Sequence, residues 1–285
     1  MLDEKVLQKI LDDLENTNKK YFETGFTELD DIIKIGEKDG ALITIGARPA
    51  MGKTTLMLSI MEKLLEKQKK VLFFSQDMCM EKLVERMWCM FSEISWAKTK
   101  TKNLNATDFE KLVKKLDDMT KYKVFIEDDS DISVEIIEEK IKEEKPEIVF
   151  IDYFQLLGGR PKQDRLTQIE ENMKNLKRIA KENGIIIFIA SQLSRAPENR
   201  YDKRPLLSDL RESGAIENIS DIVILLYRDD YYNARDEDDE LRLKGETEVI
   251  VAKNKFGPVG IVHIIFRANI PKFYPVVRSD KFDIF

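Results

Sequence analysis

The stretch ITIGARPAMGKTTLMLSIM (residues 43–61) decides the fold of this chain. It begins as a β-branched apolar run of strand length and continues, after a short loop, as a helical pattern. Between the two stands Gly52-Lys53-Thr54, the end of a phosphate-loop motif. The first glycine of that motif falls on Ala47, with Gly46 one place early. Because the strand–loop–helix setting is the one that the motif requires, the stretch predicts a nucleotide site rather than a chance Gly-Lys-Thr.

The loop also predicts how phosphate is held. Its backbone N–H groups would point at phosphate oxygens, while a lysine reaches the β- and γ-phosphates and a hydroxyl binds Mg²⁺. Lys53 and Thr54 supply the last two groups, in front of a helix whose N-terminal end attracts anions. The expected nucleotide-binding residues are Arg48, Pro49, Ala50, Met51, Gly52, Lys53, Thr54 and Thr55.

Two other strand-like runs end in polar residues. EIVFIDYFQLL supplies Asp152, and a carboxylate buried there would be costly without a cation or hydrogen-bond partners, which favours a place in a Mg²⁺ shell. IIIFIASQLSR ends its apolar run with Ser191 and Gln192. Since the carboxyl ends of strands line the ligand crevice of a doubly wound sheet, Gln192 is a candidate sensor of the γ-phosphate. A solvated strand end explains Gln192 equally well.

Strand-like runs alternate with helical patterns along the chain, which predicts an α/β fold with a mostly parallel central sheet and helices on both faces. Glu246–Lys253 and Gly260–Phe266, joined by NKFGPVG, add a C-terminal antiparallel hairpin. The other strands are expected at Leu42–Gly46, Val71–Ser75, Val124–Glu127, Ile148–Asp152, Ile185–Ser191 and Ile222–Tyr227, and the helices near 53–67, 80–95, 107–119, 133–144 and 164–183.

Composition excludes several classes of protein. No apolar run approaches the ~18 residues of a membrane span, so no membrane partner is expected. His263 is the only histidine and lies in the strand-like IVHIIF, which disfavours a Cys/His zinc site or a histidine-dependent catalytic group. Cys79 and Cys89 are expected to be core thiols in a reducing, cytoplasmic compartment. The net charge of −6 provides no global basic field, although a ring or cleft can concentrate cations locally.

The first twenty residues are set apart by their pattern. Their apolar side chains share one helical stripe: Leu2, Val6, Ile10, Leu11 and Leu14. A helix this short is barely stable alone, so the stripe should dock on another surface. The following NTNKKYFETGFTELDD is polar and is interpreted as a linker. We expect a linker helix and linker over 1–20 and one nucleotide-binding domain over 21–285.

Taken in order, several stretches resemble the RecA-like ATPase domain of the DnaB family of replicative DNA helicases. They are TGFTELD (24–30), GARPAMGKTT (46–55), FFSQDM (73–78), FIDYFQLL (150–157), SQLSR (191–195), the run from Glu198 to Tyr232, and VIVAKNKFGPVG (249–260). The resemblance covers roughly residues 24–270, and the run 198–232 is its most specific part. The family's usual phosphate loop also has Ala-Arg-Pro before Met-Gly-Lys-Thr, which accounts for Ala47.

The resemblance implies roles for individual residues. ATP would be the nucleotide, with Lys53 and Thr54 on its phosphates and Mg²⁺, Asp152 in the metal shell and Gln192 reading the γ-phosphate. The loop LRESGA resembles the family's DNA-contacting loop. That likeness would bring Arg211, Glu212 and Gly214 to the phosphate backbone of single-stranded DNA. An Arg–Glu pair that caps a helix is the common alternative for Arg211 and Glu212.

The resemblance also implies an assembly: a homo-hexameric ring around single-stranded DNA, moving 5′ to 3′ on ATP hydrolysed between subunits. A helicase loader or primase is a possible further partner. The N-terminal stripe would then belong to a linker helix that packs on the neighbouring subunit. The 285 residues have no counterpart of the family's N-terminal collar domain, so we expect a fragment or a naturally short relative.

Two positions depart from the family pattern. Asp77 replaces the glutamate that polarises the attacking water, and Lys253-Asn254-Lys255 replaces a Lys-x-Arg pair offered to the neighbour's γ-phosphate. Aspartate is shorter by about 1.5 Å, and a lysine lacks the planar fork of an arginine. We therefore expect a functional but slow ATPase. A DnaB-like ATP- and DNA-binding protein with little turnover is the alternative, and a RecA-type strand-exchange protein is disfavoured by the run 198–232.

Overall fold

The computed structural model describes residues 20–158, 164–210, 213–232 and 245–276, together with Leu7 and Leu11. The strands are β1 (Ala41–Ala47), β2 (Val71–Ser75), β3 (Val124–Glu127), β4 (Ile148–Asp152), β5 (Ile186–Gln192), β6 (Ile222–Tyr227), β7 (Glu246–Asn254), β8 (Gly260–Arg267) and β9 (Lys272–Pro275). The α-helices are α1 (Thr27–Ile33), α2 (Lys53–Glu66), α3 (Met80–Phe91), α4 (Trp96–Lys100), α5 (Ala106–Met119), α6 (Val134–Glu144), α7 (Arg165–Asn183), α8 (Ser213–Ile219) and α9 (Asp229–Tyr232).

The nine strands of the described residues form one sheet in the order β3-β2-β4-β5-β1-β6-β7-β8-β9. The pairs from β3 to β6 are parallel, and the pairs from β6 to β9 are antiparallel. The predicted fold class is thereby confirmed, including the C-terminal hairpin. The parallel strands all run the same way, so their carboxyl ends form one edge of the sheet and their amino ends the opposite edge.

Helices cover both faces of the sheet, which is why the central strands are apolar throughout rather than alternating. On one face, Ile60 of α2 and Met87 of α3 join the buried cluster. On the other, Ile137 of α6 and Met173 of α7 do so. Full burial of an aliphatic side chain of this size contributes roughly 1.5–3 kcal/mol. No helix within the described ranges combines the length and the apolar character that crossing a membrane demands.

Two local expectations were wrong, and one strand was missed. The helix predicted over 80–95 ends at Phe91, because Glu93 takes a φ of 57°, a left-handed conformation that an α-helix does not continue through. The polar linker predicted over 16–31 overlaps α1, whose Leu29 and Ile33 are buried in the core. The strand β9 was not expected at all, and it pairs with β8 at the end of the sheet.

Candidate nucleotide site

A cleft of about 390 Å³ opens at the carboxyl edge of the parallel strands. Three strands place polar residues at the bottom of the cleft: β4 ends at Asp152, β5 ends at Gln192, and β2 is followed by Asp77. The residues lining the cleft are Pro49, Ala50, Gly52, Lys53, Thr54, Thr55, Asp77, Arg86, Asp152, Tyr153, Gln192 and Phe266. Five residues that the sequence predicted to take part in nucleotide chemistry therefore line the same cleft: Lys53, Thr54, Asp77, Asp152 and Gln192.

The loop between β1 and α2 owes its shape to two residues with positive φ. Ala50 has a φ of 63° and Gly52 a φ of 104°. A Cβ at Gly52 would also meet a ring carbon of Phe273 at 2.9 Å, so a larger residue there is both strained and crowded. Met51, between them, is buried. This geometry leaves the start of α2 open toward the cleft, where helix N–H groups are available to an anion.

Lys53 stands at the first position of α2 and reaches back across the loop. Its Nζ donates to the carbonyl oxygen of Ala47 at 3.2 Å. Burial lowers the pKa of the Lys53 ammonium, and the negative charges of Asp152 and Asp77 oppose that shift. A polyphosphate would add further negative charge beside the same ammonium and so favour its charged form.

Thr54 and Asp152 provide two oxygen ligands side by side. The Thr54 hydroxyl donates to Asp152 Oδ2 at 2.5 Å. Burial raises the pKa of the Asp152 carboxyl, partly offset by this hydrogen bond and by the Lys53 charge. Among the described residues, no group of three or more His, Cys, Asp or Glu side chains could hold a metal. A hydroxyl with one carboxylate fits Mg²⁺, which keeps several waters and takes its remaining oxygens from substrate phosphates.

Asp77 and Gln192 face the cleft from the two strands beside β4. Asp77 is exposed, and no hydrogen bond joins it to another described side chain. The end of β5 is held by Gln155, whose Nε2 donates to Ser191 Oγ at 2.8 Å and whose Oε1 accepts the Gln192 N–H at 3.4 Å. These contacts fix the backbone from which the Gln192 side chain projects.

Arg86 is a cleft residue that sequence reasoning missed. It comes from α3, and its Nη2 donates to Thr55 Oγ1 at 2.5 Å, while its buried Nε has no hydrogen-bond partner among the residues that the structure describes. Burial lowers the pKa of the Arg86 guanidinium, and the charge of Asp152 opposes that shift. A signal was present in the sequence, because Arg86 lies at helical spacing from Leu83 and Met90, both on the buried face of α3.

Phe266 also lines the cleft without having been expected there. It lies near the end of β8, and the Arg228 guanidinium lies 4.2 Å from the centre of its ring.

Arg48, expected to bind nucleotide, is turned toward the neighbouring loop. Its Nη2 lies 2.7 Å from a Glu198 carboxylate oxygen, and its Nη1 donates to the carbonyl oxygen of Leu193 at 2.9 Å.

Lys253 and Lys255 do not join the cleft of their own chain. They lie where β7 meets the amino end of β6, with Lys253 opposite Val223. The Lys253 ammonium donates to the carbonyl oxygens of Glu217 and Asn218, at 3.0 Å in the second case. Burial and the nearby charge of Lys255 lower its pKa. Strands rise about 3.3 Å per residue, so the seven residues of β1 span about 20 Å from the amino edge of the sheet to the phosphate loop.

Arg211 and Glu212 of the expected DNA loop lie outside the described residues. Gly214 is exposed at the start of α8, and among the described residues, apart from its chain neighbours and its own helix backbone, no heavy atom lies within 4 Å of where its Cβ would be. His263 is away from the cleft, with Nδ1 2.8 Å from Glu246 on the neighbouring strand. Both cysteines are free thiols, one exposed and one buried, so the expectation of two core thiols was right for Cys89 and wrong for Cys79.

A parallel sheet whose first strand turns through a phosphate loop into α2, with a carboxylate ending another strand beside it, defines a RecA-like P-loop NTPase. The family described as "DnaB-like helicase C terminal domain" matches residues 22–275. The chain therefore belongs to the DnaB family and matches its C-terminal domain, and the resemblance noted in the sequence is confirmed.

Named relatives and solved structures agree with this assignment. The chain is 40% identical to "Replicative DNA helicase DnaC" of Bacillus subtilis over 267 residues, 91% of this chain and 57% of the relative. It is 37% identical over 265 residues to "Probable replicative DNA helicase" of Trieres chinensis, 90% of this chain and 58% of the relative. The structure titled "ATPase Domain of G40P" matches with a TM-score of 0.87 at 33% identity, over 95% of this chain and 98% of that one. The chain thus spans less than three-fifths of the length of these two named relatives.

Proposed function

We propose that this chain is the ATP-hydrolysing motor of a replicative-type DNA helicase. In this proposal it translocates 5′ to 3′ on single-stranded DNA as a ring and hydrolyses ATP between subunits. One observation carries the proposal. The cleft holds the predicted phosphate loop, the hydroxyl and carboxylate proposed to bind Mg²⁺, and the carboxylate proposed to activate water, whereas Lys253 and Lys255 lie at the opposite edge of the sheet. A second copy of the chain would bring such lysines to the cleft.

Binding of ATP and Mg²⁺ follows from the residues of the loop. Lys53 would leave the Ala47 carbonyl for the β- and γ-phosphates, while the N–H groups at the start of α2 receive phosphate oxygens. Thr54 and Asp152 would hold Mg²⁺, which when bound neutralises charge on the phosphate oxygens. Arg86 is half-buried, and its Nε has no partner within the described part of the chain, so its guanidinium is suited to donate to the same phosphates.

Asp77 would orient and polarise the attacking water, and Gln192 would sense the γ-phosphate. Asp77 is the exposed carboxylate on the rim of the cleft, and its charge also acts on Lys53. The carboxylate is about 1.5 Å short of a glutamate, and a misplacement of about 1 Å can cost on the order of 10²-fold in rate. This motivates the expectation of slow turnover.

Lys255 would serve as the cation that a subunit offers to its neighbour's γ-phosphate. It lies at the turn of the β7–β8 hairpin with its side chain 45% exposed. The turn is held by Asn254, whose Nδ2 donates to the carbonyl oxygens of Ile32 and Pro258 at 2.9 Å each. Lys253 would assist from the same strand. An arginine in this role is worth roughly 10³–10⁵ in rate, and a lysine would recover part of that.

An exposed apolar stripe on α5 supports assembly into a ring. Phe109, Val113 and Leu116 are spaced to share one face of the helix and are 55%, 63% and 47% exposed. Such a face needs a partner, and the N-terminal stripe of Leu2 to Leu14 in a neighbouring subunit has the matching chemistry. We propose this contact as one ring interface and six as the number of subunits.

Single-stranded DNA would be contacted by the loop carrying Arg211, Glu212 and Gly214. The exposed, uncrowded Gly214 supports this, because it leaves room for a phosphate to approach the backbone closely. One related solved structure is titled "The Structure Of A DnaB-Like Replicative Helicase And Its Interactions With Primase". A primase or a helicase loader is accordingly proposed as a further partner. The cytoplasmic location expected from the sequence stays a prediction.

The second candidate function is an ATP- and DNA-binding subunit with little turnover, acting as a loader or a regulator. The short, exposed Asp77 carboxylate favours it, since that is the residue on which water activation depends. The presence of Lys53, Thr54 and Asp152 together at the cleft opposes it.

The deciding experiment measures ATP hydrolysis by the wild-type chain and by Lys53→Ala, each with and without single-stranded DNA. The motor predicts turnover that DNA stimulates and that Lys53→Ala abolishes. Nucleotide binding without turnover would favour the second candidate function. DNA-independent turnover that survives in Lys53→Ala would contradict both.

A further inference from the structure

A buried carboxylate occupies the amino edge of the sheet, away from the nucleotide cleft. The side chain of Asp221 is 4% exposed, and its Oδ2 accepts the backbone N–H of Leu42 at 2.9 Å. The same Oδ2 accepts a hydrogen bond from the Lys177 ammonium of α7. Its Oδ1 lies 3.5 Å from the Lys255 ammonium. One buried anion is therefore shared by two cations from different elements.

The two cations are held unequally. Lys177 makes a direct hydrogen bond, and its side chain is 27% exposed, whereas Lys255 is at ion-pair distance only and is 45% exposed. The backbone of Lys255 is fixed independently, because its N–H donates to the Asp221 carbonyl at 2.9 Å. The Lys255 side chain is thus free to swing on a fixed base, and it is the looser partner of Asp221.

Removal of the single partner of a buried carboxylate is strongly unfavourable, because an unpaired charge is left in a medium that solvates it poorly. With Lys177 in place, the departure of Lys255 leaves Asp221 still paired and hydrogen-bonded. Without Lys177, the departure of Lys255 would strand the carboxylate. The ammonium of Lys177 therefore sets how readily Lys255 is released.

We propose that Lys177 is a positioning residue for hydrolysis across the subunit boundary: it keeps Asp221 paired and so releases Lys255 to reach the nucleotide of the neighbouring subunit. This inference rests on the proposed function, in which Lys255 acts on a neighbour. Lys177 itself contacts neither the nucleotide cleft nor its lining residues.

The test compares Lys177→Met, Lys177→Arg and the control Lys181→Met, which removes an exposed ammonium one turn along α7. DNA-stimulated kcat should fall about tenfold in Lys177→Met, the loss expected when Lys255 is free in only about a tenth of the subunits. KM for ATP should stay unchanged, because the phosphate loop is at the other edge. Lys177→Arg should retain the wild-type kcat, and so should Lys181→Met.

A second measurement follows Lys255 directly. Acylation of Lys255 by an N-hydroxysuccinimide ester, quantified by mass spectrometry, should be slower in Lys177→Met, because the ammonium is then held by Asp221. Unchanged acylation together with unchanged kcat would overturn the inference. So would an equal loss of kcat when Lys177→Met is added to Lys255→Ala, since the effect would then not pass through Lys255.

The parent proposal fails in a different way. If Lys255→Ala alone leaves DNA-stimulated hydrolysis intact, Lys255 does not act on a neighbouring subunit. The proposed role of Lys255 in the function is then wrong, independently of the results for Lys177. If Lys255→Ala lowers kcat and Lys177→Met does not, the proposed function stands and only the positioning role is lost.

Discussion

The two edges of the parallel sheet differ in how their charged groups are partnered. At the carboxyl edge, Asp152 is buried and Lys53 and Arg86 are half-buried around a cleft, where their charges act on Asp152; among the described residues one guanidinium nitrogen has no hydrogen-bond partner. At the amino edge, Lys253 is bonded to backbone carbonyls and Lys255 lies against Asp221. The first set is arranged to receive an anion, while the second is internally satisfied and projects from a hairpin. In the proposed ring, such a chain would contribute parts of two sites rather than one whole site.

The strongest test of this difference mixes two variants. Lys53→Ala should abolish ATP binding, whereas Lys255→Ala should keep ATP binding and lower hydrolysis by about 10²–10³-fold, part of the value of a trans cation. In a 1:1 mixture about a quarter of head-to-tail interfaces would pair an intact phosphate loop with an intact Lys255. ATP hydrolysis by the mixture should therefore exceed that of either variant. A mixture no more active than its components would remove the case for a shared site.

A second test compares the stability that each edge lends to the fold. Phe273→Ala should lower the free energy of unfolding by about 3 kcal/mol, because the ring is buried against Gly52 and Phe266. It should also weaken ATP binding by loosening the phosphate loop. Phe256→Ala, in the hairpin turn and 38% exposed, is the matched control and should change stability by less than about 0.5 kcal/mol. Chemical denaturation measures both variants. Equal losses would mean that the turn is as tightly packed as the loop.

A third test restores the missing methylene at the carboxyl edge. Asp77→Glu should raise kcat for ATP hydrolysis by up to about 10²-fold, because its carboxylate then reaches the attacking water. The Kd for ATP should not change, as Asp77 does not hold the phosphates. Asp77→Asn, which has the same length and no charge, is the control and should lower kcat. A kcat unchanged in Asp77→Glu would show that the short carboxylate is already well placed.

The smallest effect is expected at the amino edge. Lys255→Arg should raise kcat about tenfold, since a guanidinium grips two phosphate oxygens where an ammonium grips one. Combined with Asp77→Glu, the gains should multiply if the two residues act on opposite sides of one nucleotide. Steady-state kinetics on the two single variants and the double variant decides this. A Lys255→Arg chain slower than wild type would instead indicate that Asp221 retains the larger cation.

Much of this arrangement was predictable because buried parallel strands carry a strong local signal. The runs ending at Asp152 and Gln192 are apolar up to a polar last residue, so both the strands and the edge where they end follow from the sequence. The Gly52-Lys53-Thr54 loop adds the helix that completes the cleft. The meeting of these residues in one cleft needed no knowledge of long-range packing beyond the parallel order of the strands.

The unpredicted parts depend on contacts between distant residues. The strand β9 is four residues long and contains a proline, and it exists because Phe273 N–H finds Ser59 Oγ at 3.2 Å and Lys272 pairs with buried Glu62 at 2.7 Å. Arg86 was missed because it belongs to a helix with one apolar face, and its contact with Thr55 of another helix is not encoded locally. The sharing of Asp221 between Lys177 and Lys255 joins residues 44 and 34 positions apart from it, which no local pattern encodes.

The strand β1 has a consequence for how motion passes between copies. Its amino end is bonded to Asp221 through Leu42, and its carboxyl end is bonded to Lys53 through the Ala47 carbonyl. The phosphate loop and Asp221, which pairs with Lys255, thus contact opposite ends of one buried strand, β1, which has a neighbouring strand on each side. In the proposed ring, a tilt of β1 at one nucleotide would also move Asp221 and the adjoining Lys255, which is proposed to act on the next nucleotide. A conformational change at one nucleotide would then reach the next by rotation of whole subunits and not by successive movements of loops.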